Sequence, residues 1–397
     1  MGVVLGALLL AWLSIAVTAA NVFAASAPNL ALRLWPNHAV AHARLADILL
    51  ASGAQAVPSA QPEQVAQAAR EARAALRANP TLPGPARILA MQAAIGRDAR
   101  QSERLLDYSA RLSRRDIPTQ FWLLEKRVAA NDVNGALAHF GIALQVAPST
   151  RDVLFPVLSS ALSQPHLRRP IAELVHRGDA WRSEFLYHAG SHADPASAAI
   201  LFLTLARMGT PPYAPHLQGL IERLVNAGDF ASAARLYALV DRGWRLGDAG
   251  AELDGGFARA GDLPPFGWEL NQNVAWRGPR PDQGGNNALQ VNLPQSGEDW
   301  AARKLLLLAP GHYRLAGAYG MMDGGSGRVR FEISCSRGGS VASALTGAVN
   351  RPAGALGGTL DIPAGCTQQW LTIQTAGEGD GSGRLWLDDL RLAPAGG

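Results

Sequence analysis

Residues 263–270 (LPPFGWEL) constrain the fold most, because the sequence before them has a helical composition and the sequence after them has a strand composition. Two consecutive prolines cannot continue a helix, and aromatic residues such as Phe266 and Trp268 favour a strand and a buried position. Glycine follows the same division, since 28 of the 42 glycines lie in residues 249–397 and helices avoid glycine. We therefore predict an α-helical domain over residues 28–248 and a β-strand domain over residues 249–397.

The N-terminal segment is apolar and uncharged. Residues 3–32 contain no charged side chain, and about 20 apolar residues are enough to cross the ~30 Å hydrocarbon core of a bilayer as a helix. We predict that residues 1–27 are a transmembrane anchor or an export signal. The segments TAA at 18–20 and VFA at 22–24 would also suit signal cleavage after their last alanine, so a protein secreted or released into the periplasm is the alternative to a single-pass inner-membrane protein.

The helical domain contains a repeated pattern in which an Ala-Leu pair is followed by a proline. Two of these prolines, Pro80 and Pro148, are 68 residues apart, which is twice the 34-residue period of tetratricopeptide repeats. One unit is nearly complete and a second is partial, and their matching residues are Asn131, Asp132, Ala136, Leu137, Phe140, Ala143, Leu144 and Pro148, and then Gly228, Asp229, Phe230, Ala233 and Tyr237. Residues 28–245 therefore resemble the tetratricopeptide-repeat family of α-solenoids. The resemblance implies a concave surface that holds a protein partner.

Strands are predicted from residue 287 onward, where apolar residues alternate with polar ones between glycine-rich turns. Many short alternating strands are typical of a sandwich of two antiparallel sheets. The closing strand departs from this alternation, because Leu385 and Leu387 are odd-numbered whereas Leu390 and Leu392 are even-numbered. We predict a β-bulge near Asp388 and Asp389.

Three segments of the strand domain carry a further resemblance. They are LDGGF at 253–257, APGHYRL at 309–315 and LWLDDL at 385–390, and with them residues 252–393 resemble the jelly-roll carbohydrate-binding modules. The resemblance implies glycan binding. In many such modules a glutamate after the first Gly-Phe helps to hold a structural calcium ion, but this position is Ala258 here, and we predict neither a metal nor another cofactor.

Two tryptophans are the candidate ligand-binding residues. Trp370 alternates with Leu371 and Ile373, and Trp386 alternates in the same way with its leucine neighbours, so both indoles are predicted to lie on sheet faces opposite the core. An exposed indole offers a flat apolar surface on which a sugar ring can stack. The alternative is that these faces pack against the helical domain.

Cys335 and Cys366 are the only cysteines in the chain, and both lie in the strand domain. One pair of cysteines behind an export or anchor segment is typical of a disulfide in an oxidising compartment. We therefore predict that the two form a disulfide and that the body of the protein faces the periplasm. The alternative is two unrelated buried thiols.

Catalytic motifs are lacking in the sequence, and the net charge of +4 comes without the concentrated basic face typical of nucleic-acid binding. We therefore predict a non-catalytic envelope protein that binds carbohydrate and acts as a scaffold. The two resemblances together imply an accessory role in the assembly of extracellular polysaccharide. Two alternatives stay open, namely a carbohydrate-active enzyme whose acidic residues are dispersed along the chain and a pure protein-interaction hub.

Overall fold

The structure is a computed structural model. It describes residues 2–51, 62–241, 243–253, 255–257, 263–281, 287–323, 325–336, 341–378 and 383–395. The chain divides into two compact units, Met1–Leu154 and Phe155–Gly397. The predicted domain boundary between residues 248 and 249 stays a prediction.

The first unit is helical. Its helices are α1 (Gly2–Phe23), α2 (Pro28–Leu34), α3 (Ala39–Ala51), α4 (Pro62–Ala78), α5 (Pro83–Ile95), α6 (Ala99–Leu112), α7 (Ile117–Ala129) and α8 (Val133–Val146), and a 3-10 helix covers Pro148–Thr150. Aspartates at the N-termini explain where three of these helices begin, because each side chain accepts a hydrogen bond from a backbone N–H of the first turn. These capping residues are Asp98, Asp116 and Asp132.

Helix α8 corresponds to the most complete predicted repeat unit. Ala136, Phe140, Ala143 and Leu144 are all buried, and the helix ends just before Pro148, as predicted. This spacing places the four side chains on one face of the helix. The helical character of the region is thus confirmed, whereas the specific assignment to tetratricopeptide repeats stays a prediction.

Helix α1 is long and apolar enough to cross a membrane, and within the described residues Val4–Phe23 is the one helix that meets this condition. Its C-terminal end packs through small residues, since Ala20 and Ala24 form a buried cluster with Ala31 and Ala41. A hydrogen bond of 3.1 Å between His38 Nε2 and Asn21 Oδ1 lies near this cluster. The end of α1 is therefore part of the packed helical unit.

The second unit begins with helices and continues with strands. Its helices are α9 (Arg151–Ala161, which starts in the first unit), α10 (Pro165–Arg177), α11 (Arg182–His192), α12 (Pro195–Arg207), α13 (Ala214–Asn226), α14 (Phe230–Val240) and α15 (Ala249–Leu253). Phe155, Trp181 and Phe185 pack together in their core, with ring centroids 5.4–6.4 Å apart. His188 and His192, which the sequence places in a loop-like stretch, lie on α11.

Within the described residues, ten strands form the sandwich. They are β1 (Glu269–Leu270), β2 (Ala275–Pro279), β3 (Asn287–Asn292), β4 (Asp299–Leu306), β5 (Gly311–Met321), β6 (Ser326–Cys335), β7 (Val341–Val349), β8 (Gly354–Ile362), β9 (Gln369–Glu378) and β10 (Arg384–Pro394). The first sheet has the order β1-β4-β9-β6-β7 and the second has the order β2-β3-β10-β5-β8, and all pairings are antiparallel.

The core of the sandwich lies between the two sheets. Alternate residues of strands in both sheets fill it, including Val329, Phe331 and Ile333 of β6 in the first sheet and Leu289 and Val291 of β3 in the second. This is the burial that period-two alternation predicts for strands with one face on a core. The predicted fold class, helices followed by an antiparallel jelly-roll sandwich, is confirmed.

The predicted bulge lies in β10. Its pairing with β5 shifts register between Asp388 and Arg391, and Asp389 has a φ of 51°. The extra residue turns Leu390 back toward the core, where it packs with Leu387 and Leu392. A bulge therefore allows one core face to accept both the odd-numbered and the even-numbered leucines.

The transition at residues 263–270 is packed on both sides. Phe266 is fully buried, and its ring centroid lies 5.5 Å from those of Tyr237 and Trp244. Trp268 is buried too, with its ring 5.2 Å from Phe257. The prediction that both aromatics belong to the core is confirmed, whereas the predicted strand begins only after them, with β1 at Glu269.

Candidate functional site

Trp386 lies on the outer face of the second sheet, as its alternation with Leu385 and Leu387 predicts, but it is not exposed. Only 2% of its surface is accessible, because the guanidinium of Arg280 lies over the indole, 4.3 Å from the ring centroid. Gly320, its partner on β5, has no side chain that would collide with the indole. The prediction of an exposed indole at Trp386 is therefore wrong.

Arg280 is held over Trp386 by the two closing aspartates. Its Nη1 donates to Asp388 Oδ2 at 3.1 Å and to Asp389 Oδ2 at 2.8 Å. Burial raises the pKa of Asp388, although hydrogen bonds from the Asp389 backbone and from Arg280 oppose this rise. We call this surface, defined by Trp386, Arg280, Asp388 and Gln290, the closed face.

The closing aspartates do not fit a calcium site. Their cationic partner is Arg280, and among the described residues no group of three or more His, Cys, Asp or Glu side chains is placed to hold a metal ion. Ala258, the position at which many of the carbohydrate-binding modules that the sequence resembles carry a glutamate, lies outside the described residues. Arg280 supplies at this position the positive charge that two neighbouring carboxylates need.

Trp370 lies on the outer face of the first sheet, opposite the core residues of β9, and is half-buried. The exposed Arg303 of β4 stands between two indoles, with its guanidinium carbon 5.3 Å from the ring centroid of Trp370 and 5.0 Å from that of Trp300. A cation over an aromatic face is attracted by the quadrupole of the ring. Trp300 and Trp370 therefore flank a fixed guanidinium.

Glu269 of β1 orients this guanidinium. Arg303 Nε donates to Glu269 Oε2 at 2.8 Å, and Nη2 donates to Oε1 at 2.9 Å. Two parallel bonds of this kind fix the plane of the guanidinium as well as its position. The arrangement leaves Arg303 44% exposed and Glu269 33% exposed, so both groups stay accessible to a ligand.

Polar side chains continue the surface across the sheet. Arg303 pairs with Thr372, which pairs with Glu332, and a second row runs from Trp300 through Gln374 to Arg330. Paired residues on neighbouring strands share a face, and all of these side chains except Arg303 are half-buried. We call this surface the open face; its residues are Trp300, Arg303, Arg330, Glu332, Trp370, Thr372 and Gln374.

Sequence reasoning missed Trp300. The pairing of β4 with β9 changes register between Trp300 and Ala302, so the simple alternation of β4 does not place the indole on the outer face. A local signal that could have found it is the presence of Asp299 before the indole and Arg303 after it, because charged side chains are rarely buried. The bulge itself is a property of strand pairing and is not visible in β4 alone.

A cleft of about 450 Å³ adjoins Trp370. One wall comes from α13, with Gln218, Glu222, Val225 and Asn226, and from Pro264 and Pro265. The other side consists of Glu269, Arg303 and Trp370. We call it the α13 cleft; its volume lies within the range of small-molecule binding sites.

The cysteines are brought together at the end of the first sheet. Their Sγ atoms are 2.04 Å apart and their Cα atoms 5.4 Å apart. Cys335 ends β6, and Cys366 lies in the turn before β9, so a disulfide here links two neighbouring strands of the sheet that carries the open face.

The open face offers two kinds of interaction. The indoles provide flat apolar surfaces, whereas the guanidinium, carboxylate, amide and hydroxyl groups provide donors and acceptors for a polar ligand. A ligand with apolar ring faces and a rim of hydroxyl groups satisfies both. The two predicted tryptophans cannot form one platform, because Trp370 and Trp386 lie on different sheets.

Comparison with known proteins gives matches at the level of solved structures alone, since neither a protein-family model nor a curated protein matches the chain. One match, described as "CBM4 structure and function", has a TM-score of 0.29 and 16% identity, and covers 36% of this chain and 97% of the other. The C-terminal family 22 carbohydrate-binding module of Clostridium thermocellum Xyn10B matches with a TM-score of 0.27 and 17% identity over 36% of this chain and 92% of that module.

A third similar structure is that of TmCBM61 in complex with β-1,4-galactotriose. It has a TM-score of 0.24 and 16% identity, and covers 32% of this chain and 86% of the other. All three matches extend over about a third of this chain.

Proposed function

We propose that the protein binds carbohydrate through the open face of the sandwich. The observation that supports this proposal is the position of Trp300 and Trp370 on either side of Arg303, within two rows of hydrogen-bonding side chains. A pyranose ring can stack on an indole through its apolar face. Its equatorial hydroxyl groups then point sideways toward the arginine, glutamine and threonine side chains.

The test is a glycan array probed with the detergent-solubilised full-length protein. We expect binding to one class of glycans, and we expect Trp300→Ala to reduce it at least tenfold. Tyr187→Ala is the control, because this aromatic side chain is exposed, at 62%, but lies on α11, outside the sandwich. Equal loss in both variants, or no binding by the unmodified protein, would reject the proposal.

We propose that the protein is an uncleaved, single-pass inner-membrane protein with its body in the periplasm. The apolar length of α1 supports an anchor, and the burial of Ala20 and Ala24 against α2 and α3 means that cleavage after either residue would remove part of a packed core. The paired cysteines support an oxidising compartment. N-terminal sequencing of membrane-fractionated protein tests this, and a sequence that starts after Ala20 or Ala24 would contradict it.

In this proposal the protein has no catalytic activity and acts as a scaffold in extracellular polysaccharide assembly. The helical region then supplies the binding surface for a protein partner, in the manner of helical-repeat proteins. Crosslinking in the native membrane, followed by identification of proteins attached to residues 62–154, tests for this partner. Recovery of a polysaccharide-synthesis protein is the expected result.

A carbohydrate-active enzyme is the second candidate, because Glu222 and Glu269 line the same cleft. Hydrolysis of a glycosidic bond requires a pair of carboxyl groups, one of which donates a proton to the leaving oxygen. Both oxygens of Glu269 accept hydrogen bonds from Arg303, which suits a binding role better than proton donation. Release of reducing sugar from a bound glycan, abolished in Glu222→Gln, would favour the enzyme.

A further inference from the structure

One end of the open face is blocked by another segment of the chain. Leu305 of β4 pairs with Trp370 of β9 and so lies on the same side of the sheet, but Leu305 is fully buried. Its backbone N–H donates to the carbonyl of Pro265 at 2.7 Å. The surface that runs along β4 from Trp300 through Arg303 therefore stops at the segment that contains Pro265.

Helix α13 forms the wall beyond this point. Gln218, Glu222, Val225 and Asn226 line the α13 cleft, and their spacing of four, three and one residues places them on one side of the helix. Trp370 belongs both to this cleft and to the open face. A glycan chain that lies on the open face would therefore end in the cleft and could not continue past it.

The length of the surface fits a short oligosaccharide. From Gln374 to Trp370 along β9 is four residues, or about 13 Å at ~3.3 Å per residue. Two indoles, Trp300 and Trp370, lie on this path with Arg303 between them, and because the Arg303 guanidinium carbon is 5.0 Å and 5.3 Å from their centroids, the two rings are at most about 10 Å apart. The ring that stacks on Trp370 is the one that would occupy the cleft.

The charge of the α13 cleft favours some classes of glycan over others. The residues given above for the cleft include two carboxylates, Glu222 and Glu269, and one cation, Arg303. Arg303 is already paired with Glu269, so the carboxylate of Glu222 makes the cleft negative by one charge. A carboxylate on the ligand would be repelled there, whereas a neutral hydroxyl or an ammonium group would be accepted.

We propose that the α13 cleft captures the terminal sugar of a neutral or amine-bearing glycan and rejects a terminal uronic acid. This inference rests on the proposed carbohydrate binding by the open face and adds to it the position of the chain end and the charge class of the sugar. It assigns to Trp370 the terminal ring and to Trp300 an internal ring.

The experiment uses the full-length protein in detergent with three hexasaccharide probes, namely cellohexaose, a chitosan hexamer and hexagalacturonic acid, followed by a longer oligomer of whichever probe binds. Isothermal titration measures affinity and the number of protein molecules bound per chain. We expect the acidic probe to bind at least tenfold more weakly than the better of the other two. We also expect the number of protein molecules bound per glycan chain to stay constant as the glycan lengthens, because each glycan has a single reducing end and a single non-reducing end.

Three variants separate the cleft from the open face. Asn226→Trp fills the cleft from its wall and should reduce binding at least tenfold, and Glu222→Gln should narrow the difference between acidic and amine-bearing probes. Trp300→Ala reports on the open face alone. Thermal unfolding of each variant checks that the fold is kept. If Asn226→Trp does not fold, Glu222→Gln alone tests the role of the cleft, because it is an isosteric change at the surface.

The outcomes distinguish the two proposals. If more protein binds to longer chains, and Asn226→Trp binds like the unmodified protein while Trp300→Ala does not, the open face binds the interior of glycans and the inference about the cleft is wrong. A preference for the acidic probe would also overturn it. If neither these probes nor the glycan array shows binding, the proposed function fails and the inference fails with it.

Discussion

The two outer faces of the sandwich carry the same sequence signal and have different structures. Trp370 and Trp386 both alternate with core leucines or isoleucines and both lie on a face opposite the core. On the closed face Arg280 lies over Trp386, 4.3 Å from the ring centroid, and Trp386 is 2% exposed, whereas on the open face Arg303 lies over Trp370 at 5.3 Å and Trp370 is half-buried. An arginine over a tryptophan can therefore either bury an indole in the structure or leave part of it accessible to a ligand.

The difference follows from the partners of the two arginines. Arg280 is 7% exposed and reaches a fully buried carboxylate, Asp388, so its charge is part of the folded structure. Arg303 pairs with Glu269 at the surface, where both groups remain accessible. Breaking the Arg280–Asp388 pair is strongly destabilising, because it would leave a buried charge without its partner. The Arg303–Glu269 pair can exchange its contacts with those of a ligand.

The largest expected effect is that of Trp386→Ala. Removal of a buried tryptophan leaves a cavity and costs about 3–5 kcal/mol in the free energy of unfolding, here with added cost because Arg280 loses the ring beneath it. Urea denaturation measures this. Glycan affinity of the protein that remains folded should be unchanged, and a loss of affinity without a loss of stability would show that the closed face binds the ligand.

The second effect concerns the disulfide at the end of the open-face sheet. The replacement of both Cys335 and Cys366 by serine opens a loop with a sequence separation of 31 residues, and should lower the free energy of unfolding by about 3–4 kcal/mol in the chain-entropy account. Thiol titration of denatured, unreduced protein from its native compartment is the accompanying measurement. Two reactive thiols per chain would show that the bond does not form there and would remove the main support for a periplasmic location.

The third effect is on binding. Trp370→Ala should weaken glycan affinity by about 1–3 kcal/mol, or roughly 5- to 150-fold, by analogy with the stacking of bases on aromatic side chains. Because this indole is half-buried, the change in stability should be smaller than for Trp386→Ala. Equal destabilisation by the two replacements, with no effect on affinity, would mean that both faces are structural.

The smallest effect is a pair of opposite pH dependences of stability, one from Asp388 on β10 and one from Asp323, which follows β5 and pairs with Arg384 of β10. Burial raises the pKa of Asp388, so the folded state binds more protons than the unfolded state above the ordinary value of 3.8, and this contribution to stability is lost as the pH rises through the folded-state pKa. The hydrogen bond from Arg384 lowers the pKa of Asp323, so its contribution is lost as the pH falls below the unfolded-state value.

Denaturation of Asp388→Asn and Asp323→Asn between pH 3 and pH 7 tests these signs. Relative to the unmodified protein, the first variant should gain stability as the pH rises, and the second should lose stability over the same interval. The Asp323 effect should be slight, since Arg384 and Asp323 lie at the surface and exposed ion pairs are weak. Slopes of the same sign would contradict the description of Asp388 as a carboxylate held in a buried site.

Much of the sandwich could be predicted because its signals are local. Alternation of apolar residues along each strand gave the core faces of β6 and β9, and the change from odd to even leucines in β10 gave the bulge at Asp389. The disulfide could be predicted because Cys335 and Cys366 are the only cysteines in the sequence. In each case the property depends on residues within a few positions of one another or on a count over the whole chain.

Period, composition and residue counts are properties of the chain alone, and from them the order of helices and strands, the apolar N-terminal helix, the core side of most strands and the pairing of the cysteines could be predicted. Which outward-facing indole stays accessible depends on the packing of the folded protein. Trp386 is covered by Arg280, which reaches Asp388 across 108 residues of sequence, and the open face is bounded by α13, which lies far from β9 in the chain. Coverage of a face depends on partners that are distant in sequence, and no local pattern records them.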